Sequence, residues 1–439
     1  MSANGNSSPR RAAVKLLCRT EDSYANLLLA ANLDEYPPAA RAYITRTVYG
    51  VAERRLTLDY VLATHSKVPL KKMDAFVLAA LRLGLYECSY MDSVPVAAAV
   101  NETVKLVKAS RYRSAAPLCN AVLRAAAENF EKVLPAGDDA EALSIRYSCP
   151  QELVGRFMAD LGQADALGVL QSSLLQPPKT LRVNTEKVSP QALLDMLAEQ
   201  GIDAQPHPQI PFLLQTECSL LKSEAFKQGL FFIEDAASAL AAMAAAPAGL
   251  PENPHILDCC AAPGGKSYCM AMLRPDAEII SADLHEHRAA LIAEGARRLG
   301  LRNITTKTRD AAEYAADFGE FDSVLCDVPC SGYGIMNKKP DIKYRPLSEA
   351  AKLPEIQQKI LDAAARYVKP GGLLTYSTCT ILAAENACIT DDFLQRHSDF
   401  APHNLDMSKN FTCEDSHSIT LLPHKNNTDG FYICQMKRI

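Results

Sequence analysis

From His255 onward, short apolar runs and amphipathic stretches take turns along the chain, and this alternation restricts the fold more than any other feature. HILDCC, EIISAD, ITTKTRD, FDSVLCD and GGLLTYSTC have the length and apolar content of buried strands. Between them, KSYCMAML, HRAALIAEGARRLG and LPEIQQKILDAAARYV place apolar residues three and four apart, as helices do. Strand and helix in turn predict a parallel, doubly wound sheet. Ligands of such sheets bind outside the carboxyl ends of the strands. Cys260, Asp283, Asp310, Asp327, Cys330 and Cys379 all fall at those ends. Scattered surface acids have no reason to collect there.

The rest of the chain reads differently. Its 439 residues exceed one ordinary core. Residues 9–130 carry helical periodicity throughout, including one long stretch, ARAYITRTVYGVAERRLTLDYVLA, and no strand pattern interrupts them. This predicts a compact all-α domain over 1–140, with LPAGDDAEA as its exit linker. Over 141–235 the helical CPQELVGRFMADLG and SPQALLDMLAEQG mix with the strand-like KTLRVNT, PFLLQT and LFFIED, a small α+β connector. The Rossmann-like domain then takes 236–439.

Charge is uneven. The net of −5 argues against a nucleic-acid binder, yet residues 1–130 hold 17 Lys/Arg against 11 Asp/Glu. The remainder holds 29 against 40. A basic N-terminal part suits a polyanionic partner. No apolar run reaches the ~18 residues of a membrane span, and the first twenty residues show no secretion signal. A cytoplasmic protein with no membrane association is expected. The 14 cysteines include no C-x-x-C pair, so neither a disulfide framework nor a metal site is expected.

LDCCAAPGGKS, at 257–267, is a glycine-rich turn from strand to helix, suited to presenting backbone N–H groups to a ligand. A phosphate loop would need glycine at Cys260, and the G-x-G-x-x-G fingerprint is absent. S-adenosylmethionine fits better, with its carboxylate near the loop, Asp283 accepting from the ribose hydroxyls and Asp310 facing the adenine. Asp327-Val328-Pro329-Cys330 ends the fourth strand, where an amine methyltransferase would carry an N/D-P-P-aromatic run. Ser377-Thr378-Cys379 ends the fifth. Neighbouring strands lie ~4.8 Å apart, so the two thiols should face one cleft. Methylating a nitrogen needs no thiol. Carbon 5 of a pyrimidine does, because a thiolate adding at carbon 6 makes carbon 5 nucleophilic.

On these residues the chain resembles the RNA cytosine-C5 methyltransferases, specifically the bacterial Sun/Fmu (RsmB) type acting on small-subunit ribosomal RNA. LDCCAAPGGKS, CDVPCSGYG and TYSTCT resemble its cofactor and two-cysteine motifs, and NKKPDIKYR, LRVNT and LLPHKNNTDGFY its accessory motifs. YAN, VYGVAERR, LRLGLYE, VPVAAAVNE and NAVLR resemble the NusB-like RNA-binding domain that this type carries.

The resemblance implies Cys379 as nucleophile, Cys330 as its helper in release, and Asp327 contacting base or cofactor. It implies an S-adenosylmethionine pocket formed by Cys260, Ala261, Ala262, Pro263, Gly264, Gly265, Lys266, Asp283, Asp310 and Asp327, with Arg288 beside them. The implied partner is 16S rRNA, unassembled or early in assembly, bound by a monomer. Other substrates and roles are the same chemistry on tRNA and a non-catalytic RNA-binding assembly or antitermination factor. Three departures stand out: Glu234 where the family has glutamine, Val328 for alanine, and a segment around Glu385 with fewer acids than usual.

Overall fold

The computed structural model describes residues 8–20, 25–405, 411 and 417–439. Tyr24 of the YAN motif lies outside the described residues. The chain forms two compact units, one of Met1–Leu174 with Met336–Arg345, the other of Leu175–Ile335 with Pro346–Ile439.

The first unit is helical, as its periodicity predicts. Its main helices are Pro9–Leu17, Ala25–Asn32, Pro38–Glu53, Arg55–His65, Ala75–Tyr90, Val96–Lys108 and Ala116–Glu128. Prolines in the first turn start several of them without losing a needed N–H, and the Asp74 side chain caps another by accepting from Phe76 N at 2.9 Å. Glycine lets two helices touch. A Cβ on Gly50 would come within 2.0 Å of the Tyr86 ring. The long stretch predicted from 40 to 63 is two helices, broken at Arg54. Leu56 N, in the first turn after the break, has no partner within its helix, and the Ser148 hydroxyl accepts from it at 2.9 Å.

Inside this core Glu87 is fully buried; it accepts from Arg10 Nη2 at 2.8 Å and from the Tyr43 hydroxyl at 2.7 Å. Residues 337–345, the NKKPDIKYR motif, belong to this unit and include the short helical turn Pro340–Tyr344. Lys343 is buried and donates to the Glu53 carbonyl at 2.7 Å, while the Arg55 guanidinium lies 3.9 Å over the Tyr344 ring. Burial holds the Lys343 ammonium down to about 8.

The second unit opens with a four-stranded antiparallel sheet, β1 (Lys179–Val183), β2 (Gln205–Pro206), β3 (Leu213–Thr216) and β4 (Phe231–Ile233), in the order β2-β3-β1-β4. The helix Pro190–Glu199 packs Leu193 and Leu197 among Leu181, Val183, Leu214 and Phe231.

The large sheet follows: β5 (His255–Asp258), β6 (Glu278–Asp283), β7 (Ile304–Thr308), β8 (Phe321–Asp327), β9 (Val368–Thr378), β10 (Phe400–Pro402), β11 (Ser418–Leu421) and β12 (Phe431–Arg438). Its order is β7-β6-β5-β8-β9-β12-β10, with β11 also on β12. The five predicted strands pair in parallel, but β12 runs antiparallel to β9, so the sheet is mixed. Helices Ala236–Ala245, Gly265–Leu273 and Glu286–Leu299 cover one face, and Leu353–Ala365 and Ala387–Arg396 the other. The chain leaves β5 for β6 on one side and returns to β8 on the other, which opens a crevice at their carboxyl ends. No helix among the described residues is long and apolar enough to cross a membrane.

Candidate active site

The loop after β5 is folded tightly enough to need its glycines. Gly264 has φ +111° and donates to the Ala261 carbonyl at 2.7 Å; a Cβ there would meet the Tyr268 hydroxyl at 2.3 Å. Ala261 N bonds the Ala282 carbonyl, tying the loop to β6. Asp283 at the end of β6 is buried, with Oδ2 accepting from Ala262 N at 3.2 Å and Oδ1 from His285 N at 3.3 Å. Arg288 donates to the Ala262 carbonyl at 3.0 Å and stands 3.5 Å from Asp283. Asp310, beyond β7, is exposed and accepts from Ala312 N at 2.9 Å, which closes its own turn. Cys260 is half-buried, and burial raises its thiol well above the usual range.

At the end of β8, Asp327 has both oxygens engaged: Lys266 Nζ donates at 2.7 Å and the Ser377 hydroxyl at 2.8 Å. Burial alone would lower the Lys266 ammonium, but the Asp327 carboxylate outweighs it and holds the group above its ordinary value. Cys330 and Cys379, from the loops after β8 and β9, stand with sulfurs 3.2 Å apart. A hydrogen bond with the Cys330 thiol lowers Cys379 against burial and the nearby Asp327 carboxylate, and Lys266 adds to the lowering. The same bond, together with burial, raises Cys330. One thiol is thus biased toward thiolate and the other toward S–H.

A buried polar lattice fixes the two loops, and the sequence reading missed most of it. Glu385 Oε2 accepts from Ser331 N and from Gln357 Nε2, both at 2.9 Å. Gln357 also donates to the Pro329 carbonyl at 2.9 Å. The Ser331 and Thr380 hydroxyls meet at 2.8 Å, and Gly334 N donates to the Cys379 carbonyl at 3.0 Å. Gly334 also lies so close to Gly430 that a Cβ would fall 1.8 Å from the Gly430 carbonyl oxygen. The TDGFY stretch is thereby pressed against the Cys330 loop. Glu385 was visible in the sequence, but Gln357 sits mid-helix with no local signal.

Glu234, at the end of β4, is also buried, beside Arg182, Lys266 and Cys269, and burial raises its carboxyl to about 8. A Cβ on Gly265 would lie 3.6 Å from Glu234 Oε1, so this acid backs the glycine loop.

The sheet order, the glycine turn after the first strand and the acids at successive strand ends define a Rossmann-like methyltransferase. Residues 246–437 match the model described as 16S rRNA methyltransferase RsmB/F, residues 7–128 the NusB family, and residues 149–219 a ferredoxin-like domain of RsmF/B-like methyltransferases.

Over 98% of its length the chain is 35% identical to the probable ribosomal RNA small subunit methyltransferase B of Bacillus subtilis, covering 99% of that protein. It is 31% identical to ribosomal RNA small subunit methyltransferase B of Erwinia tasmaniensis, over 94% of each. The chain belongs to the RsmB/F family of methyltransferases. Among solved structures, PH0851 covers 100% of each chain with a TM-score of 0.80 at 23% identity. NSun6 from Pyrococcus horikoshii with SFG has a TM-score of 0.60 at 21% identity, covering 66% of this chain and 98% of its own. Both share the fold.

Proposed function

We propose that this protein methylates carbon 5 of a cytidine in 16S rRNA, through a transient bond between Cys379 Sγ and carbon 6 of the base. The carrying observation is the pair of sulfurs 3.2 Å apart, in the loops after two adjacent strands, β8 and β9. S-adenosylmethionine, when bound, supplies the electrophilic methyl group.

The residues fit that cofactor. In the loop Cys260, Ala261, Ala262, Pro263, Gly264, Gly265 and Lys266, the N–H groups of Gly265 and Lys266, in the first turn of the helix, supply backbone donors, and Asp283 and Asp310 supply acceptors at the next two strand ends. SFG, an analogue of that cofactor, accompanies the NSun6 structure of the same fold.

The chain's own groups do the rest. Cys379 thiolate adds to carbon 6, and the ring electrons are pushed onto carbon 5, which becomes the attacking atom. After methylation the carbon 5 proton passes to solvent, its C–H electrons form the C5–C6 double bond, the carbon–sulfur bond breaks with its electrons returning to Cys379, and the aromatic ring is restored. Cys330, against the departing sulfur, assists that release. Asp327, held by Lys266 and Ser377, presents a fixed carboxylate toward the base or the cofactor edge. The target cytidine must be unstacked to reach the crevice. The helical domain contributes RNA binding, and the protein acts as a monomer in the cytoplasm, on RNA not yet fully assembled.

The test is a denaturing gel of protein incubated with S-adenosylmethionine and unmethylated small-subunit RNA. Cys330→Ala should give a protein–RNA band that disappears when Cys379→Ala is added. A band from Cys379→Ala alone would reverse the two roles. No band from any variant would refute the covalent route with this RNA.

A further inference from the structure

Two stretches of the helical unit contain no acidic residue: 60–73, between Asp59 and Asp74, and 103–127, between Glu102 and Glu128. The first carries Lys67, Lys71 and Lys72; the second carries five cations, among them Lys108, Arg111 and Arg113. They are far apart in sequence, yet Phe76, three residues past the first stretch, meets Tyr112 of the second. The Phe76 and Tyr112 rings stack with centroids 5.8 Å apart. Arg111 lies 4.8 Å from the centre of the Tyr112 ring, within reach of the charge of Asp74.

Lys67, Lys71, Lys72, Lys108, Arg111 and Arg113 are all exposed. Asp74 borders the group, but its carboxylate is used as a helix cap. Some exposed lysines outside these stretches are answered, as Lys359 is by Glu355 at 2.8 Å and Lys227 by Glu224 at 3.5 Å; Lys105, paired with Glu102 at 2.7 Å, is left out of the face for the same reason. Surfaces ordinarily intersperse the two signs, because clustered like charges repel.

We propose that this face grips the phosphate backbone of the substrate RNA. The inference rests on the RNA methyltransferase reading above and adds the docking surface to it. The grip is by charge and not by base reading. Tyr112, the ring beside the cations, is already stacked on Phe76 and leaves no free aromatic platform there. Sequence choice must then be made elsewhere, and this face holds any RNA of suitable shape with an affinity that falls steeply with salt.

The experiment uses the full chain and an unmethylated small-subunit RNA fragment. Its dissociation constant is measured across a salt series for wild type and for the quadruple variant Lys71→Ala, Lys72→Ala, Arg111→Ala, Arg113→Ala. A control variant neutralises the same number of scattered exposed lysines: Lys132, Lys222, Lys352 and Lys359. The quadruple variant should bind at least about tenfold more weakly near 0.15 M salt. Its slope of log affinity against log salt should be shallower by about 3. In turnover its KM should rise with kcat at saturating RNA unchanged, and the control should match wild type.

An unchanged slope, or an equal loss in the control, overturns the surface while leaving the enzyme reading intact. Wild-type protein that neither binds nor methylates the RNA overturns both. Should the quadruple variant fail to fold, Lys71→Glu and Arg113→Glu are measured singly, each expected to remove about one unit of slope.

Discussion

In the helical unit Thr47, Thr57 and Thr103 each bury a hydroxyl beside a nearby partner: the Tyr43 carbonyl, the Ile145 carbonyl and the Arg10 guanidinium. Around the paired cysteines the buried polar groups instead bond one another, as Ser331 does Thr380, Gln357 does Glu385, and Thr378 does Asn386 at 2.6 Å. The first arrangement supports helices, which would stand on apolar packing without it. The second specifies the positions of two loops that have no regular structure to hold them. Damage in the helical unit should therefore appear mainly as lost stability, and damage at the catalytic end mainly as misplacement of the two loops. Buried charge makes the same distinction testable.

The largest effect is expected in the helical unit. Glu87→Ala leaves the Arg10 guanidinium and the Tyr43 hydroxyl facing a void where a carboxylate was. Removing one partner of a buried pair costs about 3–5 kcal/mol. Unfolding followed by circular dichroism should show that loss. Affinity for S-adenosylmethionine in the folded fraction should stay at the wild-type value, since the partners of Glu87 are Arg10 and Tyr43 of its own unit. A weakened cofactor affinity would mean that the two regions are not independent.

Glu234→Gln separates the regions by pH. The folded-state carboxyl titrates at about 8, raised by burial above its ordinary 4.5. Between those values the folded protein binds a proton that the unfolded chain has released. Stability from this group is therefore fully present below pH 4.5, and it is lost as pH rises toward 8, by at most about 1.4 kcal/mol per pH unit. Glutamine cannot titrate. The variant's melting temperature should match wild type near pH 4.5 and exceed it progressively up to pH 8, with no further gain above. Parallel curves would show that Glu234 is ionised in the fold.

Much of this architecture is legible before any coordinates. The strands β5 to β9, the glycine turn and the cysteines at adjacent strand ends follow from local periodicity and spacing, which a reader can see in one window of residues. What escapes is non-local. FYICQMKR carries a clear apolar run, but nothing within it says that it will pair antiparallel with β9. Lys343 and Glu87 look like surface charges until the burial around them is known. The Ser148 hydroxyl that accepts from Leu56 N, just past the break at Arg54, lies more than ninety residues away in sequence. Domain-level charge asymmetry is visible in composition, but the contact of Phe76, just past 60–73, with Tyr112 of 103–127 is not.

The smallest expected effect on stability falls on Glu385, and it sharpens the comparison most. Its Oε2 accepts two hydrogen bonds, from Ser331 N and Gln357 Nε2, and the Tyr376 hydroxyl donates to its carbonyl at 2.6 Å. Glu385→Gln keeps the shape and the backbone carbonyl but turns one acceptor oxygen into a donor nitrogen or weakens both bonds. Losing a hydrogen bond to a charged acceptor costs about 1–3 kcal/mol. Because the bonds end on the residue after Cys330 and on the carbonyl before it, through Gln357, the cost should appear as misplacement of Cys330 more than as unfolding. The expected signature is a lower kcat with KM for RNA unchanged, and a protein–RNA band persisting longer than in wild type, as release is slowed and addition is not. An equal drop in the rate of band formation would place Glu385 upstream of both cysteines, as a support of the whole loop and not of Cys330 alone.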